Sequence, residues 1–176
     1  MSGTDAESIR RHLEQVFQRV HVERMQNLSL VHPALTVEAV GFRRSGAAHI
    51  GVLITPWSMN LMRLPDADPL PEGVTGTREL PRGPVDFVGA REDAIGAYET
   101  CSLFSPMLRF ADQDAARAVA FEALLLLLQE GSDLTPPNPQ RSGAGPLAAL
   151  RRNADRDFDR RGVLRGAFLH DDSDSR

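Results

Sequence analysis

Leu35-Thr-Val-Glu-Ala-Val-Gly-Phe-Arg43, then Arg44-Ser-Gly-Ala47, then Ala48-His-Ile-Gly-Val-Leu-Ile-Thr55 is the stretch that decides the fold. Two short runs rich in Val, Ile and Thr flank a polar turn centred on Gly46, the pattern of a β-hairpin. Outward from it, Ser58–Leu64 reads as a third strand set off by Pro56 and Pro65. Pro65–Gly73 is a loop by its proline and glycine content. Gly76–Leu80 and Val85–Gly89 read as two further strands around the turn Pro81-Arg-Gly-Pro84, and Ile95–Leu103 closes the β region.

Helical patterns bracket the strands. Thr4-Asp-Ala-Glu7 has the form of a capping box, with Thr4 accepting and Glu7 reaching back. Ile9, Leu13, Val16, Phe17 and Val20 then recur at helical spacing, predicting an amphipathic helix that ends near Met25–Asn27. Asp112 is a suitable N-cap for a second helix over Gln113–Glu130, with Gly131 as its stop. Leu124–Leu128 is apolar nearly all round, which predicts that this helix is buried. The expected fold is α+β: an antiparallel sheet of five or six strands packed with both helices. Residues 1–131 form one domain in this reading, and 132–176 a Pro/Gly-rich linker and a mobile charged tail.

The 176 residues are 41% hydrophobic and 25% charged, an ordinary soluble composition with room for a core that needs no disulfide or metal. A formal net charge of −4 argues against a nucleic-acid binder. All twenty cationic side chains are Arg, so none titrates near neutrality. A polar, acidic N-terminus does not read as a signal peptide, and the apolar run Ala123–Leu128 is far short of a membrane span. The expected compartment is the cytoplasm.

Catalytic patterns are sparse. His12 and His21 lie nine apart on different faces of the first helix, His32 precedes a proline, His49 sits in a strand and His170 in the tail. There is no HExxH or Cx₂C spacing and no phosphate-binding glycine loop, so no metal or cofactor is expected. Cys101 is the single cysteine, and a thiol-dependent redox or maturation role built on it is the alternative function. Two apolar segments with polar handles stand out instead. In one, Pro56, Trp57 and Met59 supply apolar surface with Asn60 and Leu61 beside them. In the other, Leu103, Phe104 and Met107 do so, among Cys101, Ser102, Ser105 and Pro106. Flexible Met beside rigid Trp and Phe suits capture of an apolar peptide or a partly folded client. Pro56 and Pro106 place each segment at a sheet rim, where an extended client could add as a strand.

In order and spacing, three stretches resemble the HybE/HupJ family of nickel–iron hydrogenase assembly chaperones: His32–Phe42, Gly51–Pro65 and Cys101–Gln113. The likeness runs from about Ile9 to Glu130, and the family commonly carries an aromatic where Ser58 stands. The resemblance implies a non-enzymatic cytoplasmic protein that binds a hydrogenase subunit precursor. Its implied client is the small subunit with its twin-arginine signal, with the large subunit as a second candidate and a rubredoxin-like protein as accessory partner. In the tail, Asp159-Arg-Arg-Gly-Val-Leu-Arg165, with its pair Arg160-Arg161, looks like a degenerate twin-arginine core. Such a segment would sit in the chaperone's own groove until a client displaces it.

Overall fold

A computed structural model describes residues 2–129. Gly131, the 132–176 linker and tail, and the Arg160-Arg161 motif lie outside the described residues. Six antiparallel strands form a single sheet: β1 (Glu38–Ser45), β2 (Ala48–Ile54), β3 (Met59–Pro65), β4 (Thr75–Leu80), β5 (Gly83–Glu92) and β6 (Gly96–Phe104). Their spatial order is β1-β2-β3-β6-β5-β4. Helix α1 (Ser2–Val20), followed by a π-helical turn at His21–Met25, precedes the strands, and α2 (Gln113–Leu128) follows them.

The helices cover opposite faces of the sheet. Leu13 of α1 joins Ala39, Phe42, Leu53 and Met62 in one apolar cluster. On the other face Ala116, Ala120, Ala123 and Leu127 of α2 join Val40, Ile50, Val52 and Leu61 in a larger one. All seven residues of β2 are therefore buried, which is why that strand reads as a continuous apolar run rather than an alternation. Toward the far edge β5 does alternate: Val85 and Phe87 face the core, whereas Asp86 and Val88 face solvent. There the loop before β4 lies over the sheet, and a Cβ on Gly89 would stand 2.1 Å from the Pro71 carbonyl oxygen. The hairpin turn falls at Gly46 with a positive φ of 59°, as the sequence predicts.

Two local expectations need correction. Helix α1 begins at Ser2, so Thr4 lies inside it and not at its cap. The Glu7 carboxylate reaches forward instead, accepting from Arg10 Nη2 at 2.7 Å and Arg11 Nε at 3.0 Å. Those two guanidinium hydrogen bonds hold its pKa at about 2. Helix α2 is buried on one side only, because Phe121 and Leu125, on its outer face, are each 50% exposed. Its cap does form as expected, the Ala115 amide donating to Asp112 Oδ1 at 2.8 Å.

Candidate functional site

The two singled-out segments meet. Antiparallel pairing sets Met59 beside Phe104, Asn60 beside Ser102 and Leu61 beside Cys101, with a register shift between the first two rungs. Beyond that end of the pairing, the turn into β3 and the chain leaving β6 lie against each other, and Ser105 Oγ donates to the Trp57 carbonyl at 3.4 Å. Thr55 and Ser58 close the turn before β3. The Thr55 amide donates to the Ser58 carbonyl at 2.8 Å, and the Ser58 amide to Thr55 Oγ1 at 3.0 Å. Pro56 and Pro106 both stand just outside the strands, so neither removes a ladder hydrogen bond.

Burial sorts the candidates. Met59, Leu61 and Met107 are 0% exposed, and Leu103, Phe104 and Pro56 are buried with them. Most of these residues belong to the cluster under α2, and Met59, Leu61 and Met107 wall no open groove; the expectation that Met59 and Met107 would present their side chains to a client is corrected. Strand geometry is the reason, since on this face alternate residues of β3 and β6 point at α2. Trp57, Asn60 and Cys101 are half-buried, and Ser102, Ser105 and Pro106 are exposed. Asn60 turns its amide inward, Nδ2 donating to Ser58 Oγ at 3.2 Å. Cys101 packs against the α2 cluster from its margin. Strand addition fails here on topology: β3 and β6 are paired on both sides, and the sheet edges are β1 and β4.

A cleft of about 490 Å³ does open at this end, lined by Ser102, Leu103, Phe104, Ser105, Pro106, Leu108 and Arg109. Leu108 is 56% exposed, and the Arg109 guanidinium carbon lies 5.8 Å from the centre of the Phe104 ring, a cation–π distance. Phe104 is held in turn edge-on to Phe110, ring centres 5.4 Å apart. Across the Trp57 side, His21 in the π-helical turn lies 5.7 Å from the indole, ring centre to ring centre. The His32 amide donates to the Pro56 carbonyl at 2.8 Å, which draws in a loop bearing exposed Leu28 and Leu30, and Val22 is exposed on the π turn. His21 Nδ1 is buried without a hydrogen-bond partner among the described residues. Leu108, Arg109 and the 21–32 segment were missed in the sequence. The first two lie within Cys101–Gln113, where no periodicity marks them as exposed. Nothing in the 21–32 composition points across the fold to Trp57.

Glu99 was missed too, and it fixes the middle of the sheet. Its carboxylate is wholly buried, yet Arg63 Nη1 donates to it at 2.8 Å, Arg78 donates through both Nε and Nη2, and the Leu70 amide donates at 3.1 Å. Burial raises its pKa, but the hydrogen bonds from Arg78, Leu70 and Arg63 prevail and hold it below the ordinary value. Glu38 is governed the same way: burial raises it, and donors Arg117 and Gln113 of α2 bring it down. No cluster of three or more metal-ligating side chains occurs among the described residues.

The model of the family described as NiFe-hydrogenase assembly, chaperone, HybE matches residues 8–166. The chain belongs to this family of hydrogenase assembly chaperones. Protein HoxT of Cupriavidus necator is 40% identical over 159 residues, spanning 81% of this chain and 89% of that one. A Rhodobacter capsulatus protein named probable rubredoxin HupJ is 40% identical over 114 residues, 60% of this chain but only 41% of its own length. The solution structure of HybE from Escherichia coli has the same fold, with a TM-score of 0.55 at 22% identity over 76% of this chain and 91% of that one. The HybE match extends past Glu130, so the likeness is not confined to Ile9–Glu130 but takes in much of the C-terminal stretch. Among the described residues no helix is long and apolar enough to cross a membrane.

Proposed function

We propose that this HybE-family chain binds a precursor of a nickel–iron hydrogenase subunit, the small subunit with its twin-arginine signal region first, through the β3/β6 end of its sheet. It acts there without catalysis, in the cytoplasm, and releases the precursor for cofactor insertion and export. The observation that carries this reading is Trp57. Its ring is half-buried beside His21 and its carbonyl accepts from Ser105, and Val22, Leu28, Leu30 and Leu108 are exposed whereas Met59 and Met107 stay in the core. A half-buried, amphipathic indole at an end of the sheet that also exposes apolar side chains suits an extended apolar segment with polar flanks. The large subunit is the second candidate client. The rubredoxin name of the longer Rhodobacter relative supports a rubredoxin-like accessory partner.

The test is Trp57 emission during titration with a small-subunit signal peptide, alongside calorimetry. Binding in the micromolar range with a shift in emission supports the assignment. Heat of binding without any emission change moves the site elsewhere, and no binding of either subunit's precursor sinks the reading.

A further inference from the structure

Glu99 leaves part of its arginine pair unspent. It accepts one N–H from Arg63 and two from Arg78, and neither guanidinium has another partner among the described residues. Yet the two side chains are only 18% and 30% exposed. His21 Nδ1 is the one buried side-chain nitrogen or oxygen without a partner among the described residues, so the unspent N–H groups of both arginines stay open to solvent. Arg63 and Arg78 line a cleft of about 410 Å³, together with the β1–β2 turn at Ser45–Ala48, Ile50, and Leu80 and Pro81 at the end of β4. We propose that this cleft binds a small carboxylate, which takes the free N–H groups of Arg63 and Arg78 as Glu99 takes the others.

Register and charge favour this ligand. Ile50 stands opposite Arg63, and Arg63 opposite Glu99, so all three share one face of the sheet. Arg78 stands opposite Val85, whose side chain belongs to the core on that same face. Glu79 also borders the cleft, but it alternates with Arg78 along β4 and its side chain is exposed on the opposite face. Asp66, whose amide donates to the Ala47 carbonyl in the turn, is held by Arg44. Two guanidinium charges therefore meet one carboxylate, Glu99, which its depressed pKa keeps ionised near neutrality. The excess of one positive charge matches a monoanion, and the planar guanidinium fork matches a carboxylate. A phosphate, with more than one charge near neutrality, would overfill that excess beside Glu99. The volume is at the small end for ligand pockets, which run from about 300 to 1,000 Å³. Arg63 lies near the end of β3 and Trp57 precedes its start, so the proposal does not rest on the client-binding reading.

The test is a titration of the full chain, followed by NMR through its arginine Nε–H and backbone amide signals. Acetate should shift the Nε–H signals of Arg63 and Arg78 and the amides of Gly46–Ala48 along a curve that saturates by about 100 mM. N-acetylglycinamide, which has no carboxylate, should leave them in place. Ser45→Asp sets a carboxylate on the rim of the cleft without touching Glu99 and should weaken acetate binding about tenfold, whereas the neutral Ser45→Asn should keep it. Shifts that rise linearly, or that sodium chloride reproduces at equal concentration, overturn the proposal. So does tighter binding of inorganic phosphate than of acetate, or equal acetate affinity in both Ser45 variants. N-acetyl-trialanine identifies the source of the carboxylate. A gain of about tenfold over acetate assigns the site to the C-terminus of a polypeptide, and no gain assigns it to a free small acid; either result supports the carboxylate site.

Discussion

Glu99 shows how a single residue can hold four segments. Its carboxylate ties β6 to β3 through Arg63, to β4 through Arg78 and to the intervening loop through the Leu70 amide. Glu99→Gln removes the charge but keeps the shape, leaving two guanidinium groups around a neutral amide. The expected loss is about 3 kcal/mol, the lower end for breaking a buried ion pair, read from the urea midpoint. The pH dependence has a defined sign. The folded carboxyl has a depressed pKa, so its contribution is present above the unfolded value of about 4.3 and disappears as pH falls through the lower folded value. The stability of Glu99→Gln should therefore fall less steeply than wild type on acidification below about pH 5. Parallel acid limbs would assign the acid sensitivity to Glu38 or another carboxylate. Nothing local in the sequence singles out Glu99. Its partners lie 36 and 21 residues away, and no local pattern connects them.

At the scale of elements, the strands were legible because turn chemistry and alternation agree. Gly46 supplies the left-handed residue of the hairpin, Pro81-Arg82 separate β4 from β5, and five of the six strands carry Val, Ile, Thr or aromatic residues, β3 being built of Leu and Met instead. Helix ends were less legible, since the same Glu7 that suits a capping box also suits i,i+3 and i,i+4 pairs with Arg10 and Arg11. What composition could not show was which side of an element meets its neighbour. The run Leu124–Leu128 looks buried all round, yet Leu125 faces outward because only one flank of α2 lies on the sheet. Two substitutions test the assignment of contacts. Asp112→Ala removes the acceptor of the Ala115 amide and should cost about 1 kcal/mol in thermal or urea unfolding. Gly89→Ala sets a methyl 2.1 Å from one backbone oxygen and 2.4 Å from another. Neither can rotate away, so the loop over β5 must lift. A loss of about 2–3 kcal/mol is expected, with faster amide exchange confined to the Pro71–Val74 loop and β5. A silent Gly89→Ala would mean that this loop does not rest on the sheet as described.

For the molecule as a whole, the sheet separates two apolar cores, one under each helix. Alternation along β1 to β3 assigns Ala39, Leu53 and Met62 to the α1 side and Val40, Val52 and Leu61 to the α2 side. The same division explains why only part of the candidate site was legible. Pairing brings the two segments together, but it aims half of their side chains into the α2 core and leaves the other half, with Leu108 and the Trp57 turn, at the surface. Separate cores in one sheet make a testable energetic statement. Leu13→Ala cuts into the α1 cluster and Leu127→Ala into the α2 cluster, each side chain being 1% exposed. Each should cost about 3 kcal/mol by cavity formation, and with a sheet between them they share no packing partner. The double variant should then lose the sum to within about 0.5 kcal/mol. It should still unfold in a single transition with an unchanged denaturant slope, because both helices pack against the same strands. A shortfall beyond about 0.5 kcal/mol, or a second transition in the double variant, would show that the two faces do not unfold as independent contributions to one cooperative domain.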